Sequence, residues 1–214
     1  MPVTKYTIHH VLGHATARLI AAFLLCDATV EGAEHLNQLP RPYVIAMNHC
    51  SHADPVLMWS AFPDYCNFMV KEELHKIPFF GPMSELTGNI PLKRSGNDIQ
   101  AMKSALKLMK AGINLAFFVE GTRSEDGIIK PFKEGALTIA AKMRCPIVPV
   151  YLHGTYTILK KGSFFPKSHP TSVHILKPFM DAVEQNLSKD ELNDLNQRLY
   201  EEMRDKQRSL LQYS

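Results

Sequence analysis

Short apolar runs of β-forming residues alternate along this chain with segments of helical hydrophobic period. Tyr43-Val-Ile-Ala-Met47, behind Pro40 and Pro42, has no polar interruption and predicts a buried strand. Further strands are expected at 67–70, 88–92, 115–119, 146–152 and 172–176. The second of these has the weaker pattern, because Pro91 cannot donate to a ladder and fits only a strand end or an edge. A helix is expected from Pro55 to Phe62, with Asp54 as N-cap. Residues 98–110 place Ile99, Met102, Leu106 and Met109 on one face and Lys103, Lys107 and Lys110 off it, with Gly112 as terminator. Residues 135–143 carry Ala136, Ile139, Ala140 and Met143 along one side. Ser188 and Glu191 form a capping box for a charged helix running to Leu211. Strands separated by helices predict an α/β fold with a mostly parallel or mixed central sheet flanked by helices.

The start of the chain has a different character. Ile8, Val11, Leu12, Ala15, Leu19, Ala22 and Phe23 recur at helical spacing, but His9, His10, His14 and Arg18 interrupt them. The uninterrupted run Leu19–Cys26 falls far short of the ~20 residues a span needs. The stripe fits either packing on the core or a helix lying in a membrane interface. From the pattern alone, packing on the core is the expectation.

Composition narrows the picture modestly. With 45% hydrophobic and 21% charged residues the chain is expected to fold as a globular domain rather than stay disordered. A net charge of +3 does not argue for nucleic acid, but it favours approach to phosphate-bearing ligands or an anionic bilayer. No basic-then-apolar leader with a small-residue cleavage site is visible. Cys26, Cys50, Cys66 and Cys145 form no C-x-x-C pair and read as reduced thiols in a cytosolic compartment.

Candidate chemistry gathers in three segments at or beside strand ends, where α/β sheets place their sites. Asn48–Pro55 reads NHCSHADP. His49 and Asp54 are five apart, which on one helix would turn their side chains ~140° from each other. In a strand-to-helix turn they can meet, with Asp54 fixing one imidazole nitrogen and leaving the other as a general base. A metal reading of His49, Cys50, His52 and Asp54 lacks a second ligand cluster downstream. Cys50 and His49, adjacent in extended chain, point apart and make a poor nucleophile–base pair. Lys93 and Arg94 supply a point charge and a bidentate fork suited to phosphate, or simply form an exposed basic turn. In Phe118-Val-Glu-Gly-Thr-Arg-Ser124 a carboxylate and a guanidinium bracket a Gly-Thr turn. Gly121 would allow close ligand approach there, and a structural Glu–Arg pair is the alternative.

Taken together and in this order, NHCSHADP, GNIPLKR, FVEGTRS and IVPVYLHGT resemble the four blocks of the glycerolipid acyltransferase family, the 1-acylglycerol-3-phosphate acyltransferases among them. The linkers KEELHKIPFFG and PFKEGALTIA also look like the family's, and the resemblance spans roughly Asp27 to Pro178. Val119 stands where members usually have proline, and Pro91 and Lys93 also depart from the pattern. The resemblance implies an O-acyltransferase that moves a fatty acyl group from acyl-CoA or acyl-carrier protein to the free hydroxyl of lysophosphatidic acid or a related lysophospholipid, in phospholipid biosynthesis. Glycerol 3-phosphate or a non-phosphate lysolipid is an alternative acceptor. A hydrolase or a lipid-binding protein without turnover are alternative classes. It implies His49 as base and Asp54 as its orienting partner. Lys93, Arg94, Glu120, Gly121, Thr122 and Arg123 would form the acceptor and phosphate site, and Pro149 would lie beside the acyl-donor channel. No metal or cofactor is implied beyond the thioester co-substrate. An enzyme acting on lysolipids must reach a bilayer, so the resemblance also implies an N-terminal amphipathic, membrane-interfacial helix over 1–26 ahead of an acyltransferase domain over 27–214, peripheral or monotopic on the cytoplasmic face of a membrane.

Overall fold

The computed structural model describes residues 28–73, 87–92, 99–159 and 165–212, together with 11, 15–19, 21, 22 and 84. Seven strands form one mixed sheet: β1 Ala28–Glu31, β2 Val44–Met47, β3 Cys66–Lys71, β4 Ile90–Leu92, β5 Asn114–Phe118, β6 Ile147–His153 and β7 Thr171–Ile175. Their order is β1-β7-β6-β2-β5-β3-β4. All neighbours are parallel except β6 and β7, which run antiparallel. The helices are α1 Asp54–Ala61, α2 Ile99–Lys110, α3 Gly135–Met143, α4 Thr155–Ile158, α5 Asp181–Glu184 and α6 Lys189–Leu211, with a 3-10 turn at Ala33–Leu36. The predicted α/β architecture is the one observed.

Strand β2 explains why the sheet is covered on both sides. All four of its residues are fully buried. Val44 and Ala46 face a core shared with α2, α3 and α6, whereas Ile45 and Met47 face one shared with Leu57 and Met58 of α1. A strand without polar alternation can satisfy both faces only in this sandwich. Pro91 sits in β4, the edge strand, where its missing N–H costs no ladder bond. Pro149 lies inside β6, buried and in register with Ala46. Its carbonyl accepts from Leu176 N–H (2.9 Å), just past the end of β7. Its absent N–H therefore faces the point where the β6–β7 ladder runs out.

The capping box of α6 is formed: Glu191 N–H donates to Ser188 Oγ (3.3 Å) and Ser188 N–H to Glu191 Oε2 (2.7 Å). Along α6, Leu195, Leu199, Met203 and Gln207 make the buried stripe. Gln207, the polar member, is spent on the loop after β5. It donates to the Gly127 carbonyl (2.8 Å) and accepts from Ile129 N–H (3.2 Å). The C-terminal helix thereby holds a loop that reaches the site.

Strand β1 was not expected. It adds to β7, and Glu31 at its end accepts from His174 Nδ1 (2.8 Å) and Lys206 Nζ (3.5 Å). In the N-terminal segment, Ala17 and Ala21 are the buried residues, and Ala21 joins Ala53 and Ile158 in a small cluster. The described members of the expected apolar stripe face outward. Ala15 and Ala22 are exposed, Val11 is 59% exposed and Leu19 73%. Ile8, Leu12 and Phe23 lie outside the described residues. Among the described residues, no helix is long and apolar enough to cross a membrane.

Candidate active site

The carboxyl ends of the two central strands β2 and β5 point the same way and carry the first and third segments. Asn48 takes over where β2 stops. Its side-chain carbonyl accepts from Leu152 N–H (2.7 Å) and its side-chain amide donates to the Leu152 carbonyl (3.1 Å). The amide group thus imitates one more peptide of a β2–β6 ladder. The chain can leave the sheet at once, with its neighbour strand satisfied.

The turn then folds back as the spacing of His49 and Asp54 requires. His49 Nδ1 lies 2.7 Å from Asp54 Oδ2, and the Asp54 side chain is 0% exposed. The same oxygen accepts from Cys50 N–H (2.7 Å) and Ser51 N–H (2.8 Å). Here the structure corrects the expected role of Asp54. It is the first residue of α1 rather than its N-cap, a place taken by Ala53, and its carboxylate reaches back into the turn. The reason is that two turn N–H groups and the imidazole converge on the same side of the helix start. Ser51 Oγ closes the turn by accepting from Ala53 N–H (3.1 Å) and donating to the Leu159 carbonyl (2.9 Å). With three donors on one acceptor oxygen, Nδ1 of His49 must carry its proton. Nε2 is left as the basic nitrogen.

The His49 ring stacks on Phe118, with centroids 3.9 Å apart and planes at 21°. This contact fixes the ring plane and was not foreseen, although Phe118 was visible as the first letter of FVEGTRS. The backbone of His49 is tied as firmly. Its N–H donates to Glu120 Oε1 (2.8 Å), and its carbonyl accepts from Ser124 N–H (2.7 Å). Glu120 Oε2 accepts from Lys130 N–H (2.9 Å). Both oxygens of this buried carboxylate thus hold backbone, not a guanidinium, so the structural Glu–Arg pair does not form. Burial pushes the Glu120 carboxyl up to about 7, against the pull of its two N–H donors.

The remaining sequence candidates fall into place unevenly. Gly121 has φ +71°, a conformation that suits glycine, and its N–H closes a turn onto the Phe118 carbonyl (2.9 Å). Thr122 is exposed at the tip. Arg123 is half-buried, and its Nη1 is buried without a hydrogen-bond partner. His52 belongs to the same surface: its pKa is held below the ordinary value by partial burial and by the charges of Arg123 and His49. Lys93 and Arg94 lie outside the described residues, as do Lys160, Lys161 and Phe164. The Cys50 thiol is buried against Thr155 Oγ1 (3.2 Å) and near Asp54 (3.9 Å), and burial beside that carboxylate raises its pKa well above the usual thiol range. That environment suits an inert thiol rather than a nucleophile. Among the described residues, no three His, Cys, Asp or Glu side chains converge on a possible metal site.

A mixed, doubly covered sheet with a histidine–aspartate pair at the end of a central strand is an arrangement chemically able to activate a hydroxyl or water. The pattern of the Acyltransferase family matches residues 27–153, more than half of the chain, and the protein belongs to that family. It is 36% identical over 157 residues to a chloroplastic 1-acyl-sn-glycerol-3-phosphate acyltransferase of Brassica napus (72% of this chain, 45% of that one). It is 32% identical over 207 residues to the 1-acyl-sn-glycerol-3-phosphate acyltransferase of Saccharomyces cerevisiae (92% of this chain, 66% of that one). The chain spans under half the length of the Brassica relative. Its fold is similar to the crystal structure of the 1-acyl-sn-glycerophosphate (LPA) acyltransferase PlsC from Thermotoga maritima. The TM-score is 0.79 at 28% identity, over 94% of this chain and 79% of that one.

Proposed function

We propose that this protein transfers a fatty acyl group from a thioester donor, acyl-CoA or acyl-carrier protein, to the free hydroxyl of lysophosphatidic acid. The observation that carries the reading is the His49–Asp54 pair, with Nδ1 committed to Asp54 and Nε2 without a hydrogen bond among the described residues. Nε2 takes the proton of the acceptor hydroxyl, and the oxygen attacks the thioester carbonyl. The tetrahedral intermediate collapses, the C–S bond breaks, and the imidazolium returns its proton to the departing thiolate. The buried thiol of Cys50 takes no part. Relatives named for acylation of 1-acyl-sn-glycerol 3-phosphate support this acceptor.

Arg123, with a buried and unpartnered Nη1, is assigned to the acceptor phosphate. Lys93 and Arg94 are assigned to it on the resemblance of GNIPLKR alone. Thr122 and Gly121 shape the tip of that site, and Glu120 acts as a positioning residue beneath it. Pro149, buried under the sheet end, is assigned to the acyl-donor side. The test is a panel of donors and acceptors scored by product mass and thiol release. Acceptor-dependent thiol release with phosphatidic acid as product is expected. Release without acceptor would instead make the protein a hydrolase, and full activity in His49→Ala would remove the base.

Division of the chain into an N-terminal interfacial helix (1–26) and an acyltransferase domain (27–214) belongs to the same proposal. The outward apolar stripe of Val11, Ala15, Leu19 and Ala22 supports it, because an exposed stripe of this kind gains by entering a lipid interface. Exposed Phe165 lies in a loop tied to α4 by Lys167 N–H and the Ile158 carbonyl (2.8 Å), and Ile158 packs on Ala21. The protein is thus read as peripheral or monotopic. Unpaired thiols at Cys50, Cys66 and Cys145 suit the reducing, cytoplasmic side. Leu19→Asp is expected to lower co-sedimentation with anionic vesicles roughly tenfold, with unchanged circular dichroism. Undiminished sedimentation would detach this helix from the membrane role.

A further inference from the structure

The segment PFKEGALTIA has no role in the reading so far, yet it places a cation on the site. Lys133 is tied to the sheet end by its own N–H, which donates to the Val119 carbonyl (2.8 Å). From there its side chain arches over the Gly121 turn. A Cβ built on Gly121 would lie 2.7 Å from both Cε and Nζ of Lys133. The lysine tip therefore rests over Gly121, where the φ of +71° is what calls for glycine, since the end of an exposed lysine moves aside cheaply.

Lys133 makes no ion pair among the described residues, and the nearby Glu120 spends both oxygens on backbone N–H groups. Two residues along the turn, Arg123 holds a buried Nη1 that also lacks a partner. Two cations therefore flank one Gly-Thr turn beside His49, whose carbonyl is bound by the next residue, Ser124. An anion seated at this turn would meet both charges.

We propose that Lys133, lying over the Gly121 turn that also carries Arg123, is a second cation for the acceptor's phosphate monoester and selects phosphate-bearing acceptors. This rests on the acyl-transfer reading and names a specificity residue within it. The phosphate of coenzyme A has the same chemistry, and the test separates the two sources.

Lys133→Met keeps the aliphatic cover over Gly121 and removes the charge. It is expected to raise the KM for lysophosphatidic acid roughly tenfold while kcat changes by less than about threefold. The KM for the acyl thioester and the rate with monoacylglycerol should stay as in the wild type, and Lys133→Arg should restore most of the loss. An unchanged acceptor KM overturns the proposal. So does a raised donor KM that is absent with a dephospho-coenzyme A thioester, which would assign Lys133 to the donor. A second measurement needs no turnover. Reductive methylation of wild-type protein, read by mass spectrometry, should show Lys133 protected by lysophosphatidic acid and not by monoacylglycerol. Equal labelling with and without lysophosphatidic acid overturns the proposal. Protection in a protein that transfers no acyl group would sink the acyl-transfer reading and leave the phosphate contact standing.

Discussion

Asp54→Ala is expected to cut acyl transfer by roughly 10³–10⁴-fold, with substrate KM values little changed. The proposed reaction needs a neutral imidazole with Nδ1 protonated, and Asp54 Oδ2, 2.7 Å away, is that nitrogen's partner among the described residues. Without it the ring can take the other tautomer or rotate, and the imidazolium formed during the reaction loses its stabilising charge. A second cost is structural. Cys50 and Ser51 N–H donate to the same oxygen, so the truncation leaves two N–H groups in a buried turn without acceptors. Each such orphan costs about 1–3 kcal/mol, which is measured separately by chemical denaturation. Asp54→Asn divides the two effects, since an amide oxygen can still accept from both N–H groups while the negative charge is lost. It should recover most of the stability and little of the activity. If Asp54→Asn ran within about tenfold of wild type, the orienting role would be wrong.

Glu120→Gln is expected to separate activity from stability in the opposite sense. Burial raises the folded-state pKa of Glu120 from 4.5 to about 7. Between those values the folded protein holds a proton that the unfolded chain has released. Wild-type stability therefore falls as pH rises from about 4.5 to about 7 and levels above, by up to about 3 kcal/mol from this group. Glutamine stays neutral throughout. Other titrating groups cancel in the difference, so the variant should be the less stable of the two near pH 5, because one buried N–H loses its acceptor, and should gain on wild type by up to about 3 kcal/mol toward pH 8. Activity should move the other way. Glutamine offers one acceptor oxygen for two N–H groups, so either His49 or Lys130 loses its bond. If His49 is released, a small shift of its backbone is enough to lower kcat by roughly 10²-fold. Denaturation curves at both pH values and kcat at the higher one decide it. Parallel stability profiles for the two proteins would refute the pH argument.

The site owes its rigidity to contacts that cross the chain. Asn48 of the first segment is bound by Leu152 of β6, and Ser51 by Leu159. Glu120 links His49 to Lys130, and the loop carrying Ile129 is held by Gln207 of the last helix. Loss of packing far away, in α6, is therefore transmitted to the imidazole through this loop. Gln207 itself was unremarkable in sequence. Only its place in a stripe with Leu195, Leu199 and Met203 hinted at burial.

What could be read in the sequence was what neighbouring residues decide among themselves. The apolar run of β2, the bounds of α3 and the Ser188–Glu191 box follow from local pattern and hydrogen bonding. The His49–Asp54 pair also belongs here, because a strand end and Pro55 confine the turn between them. Strand β1 escaped because Ala28-Thr-Val-Glu31 is four residues of mostly exposed pattern and exists by adding to β7, some 140 residues onward. The direction of Asp54 escaped because the choice between capping forward and reaching back depends on where the turn N–H groups point. Glu120 as a clamp on His49, the outward face of the N-terminal stripe, and Lys133 over Gly121 are tertiary facts as well. Each joins segments whose separation in the chain no local pattern records, and each is fixed by the sheet order that brings the ends of β2, β5 and β6 side by side.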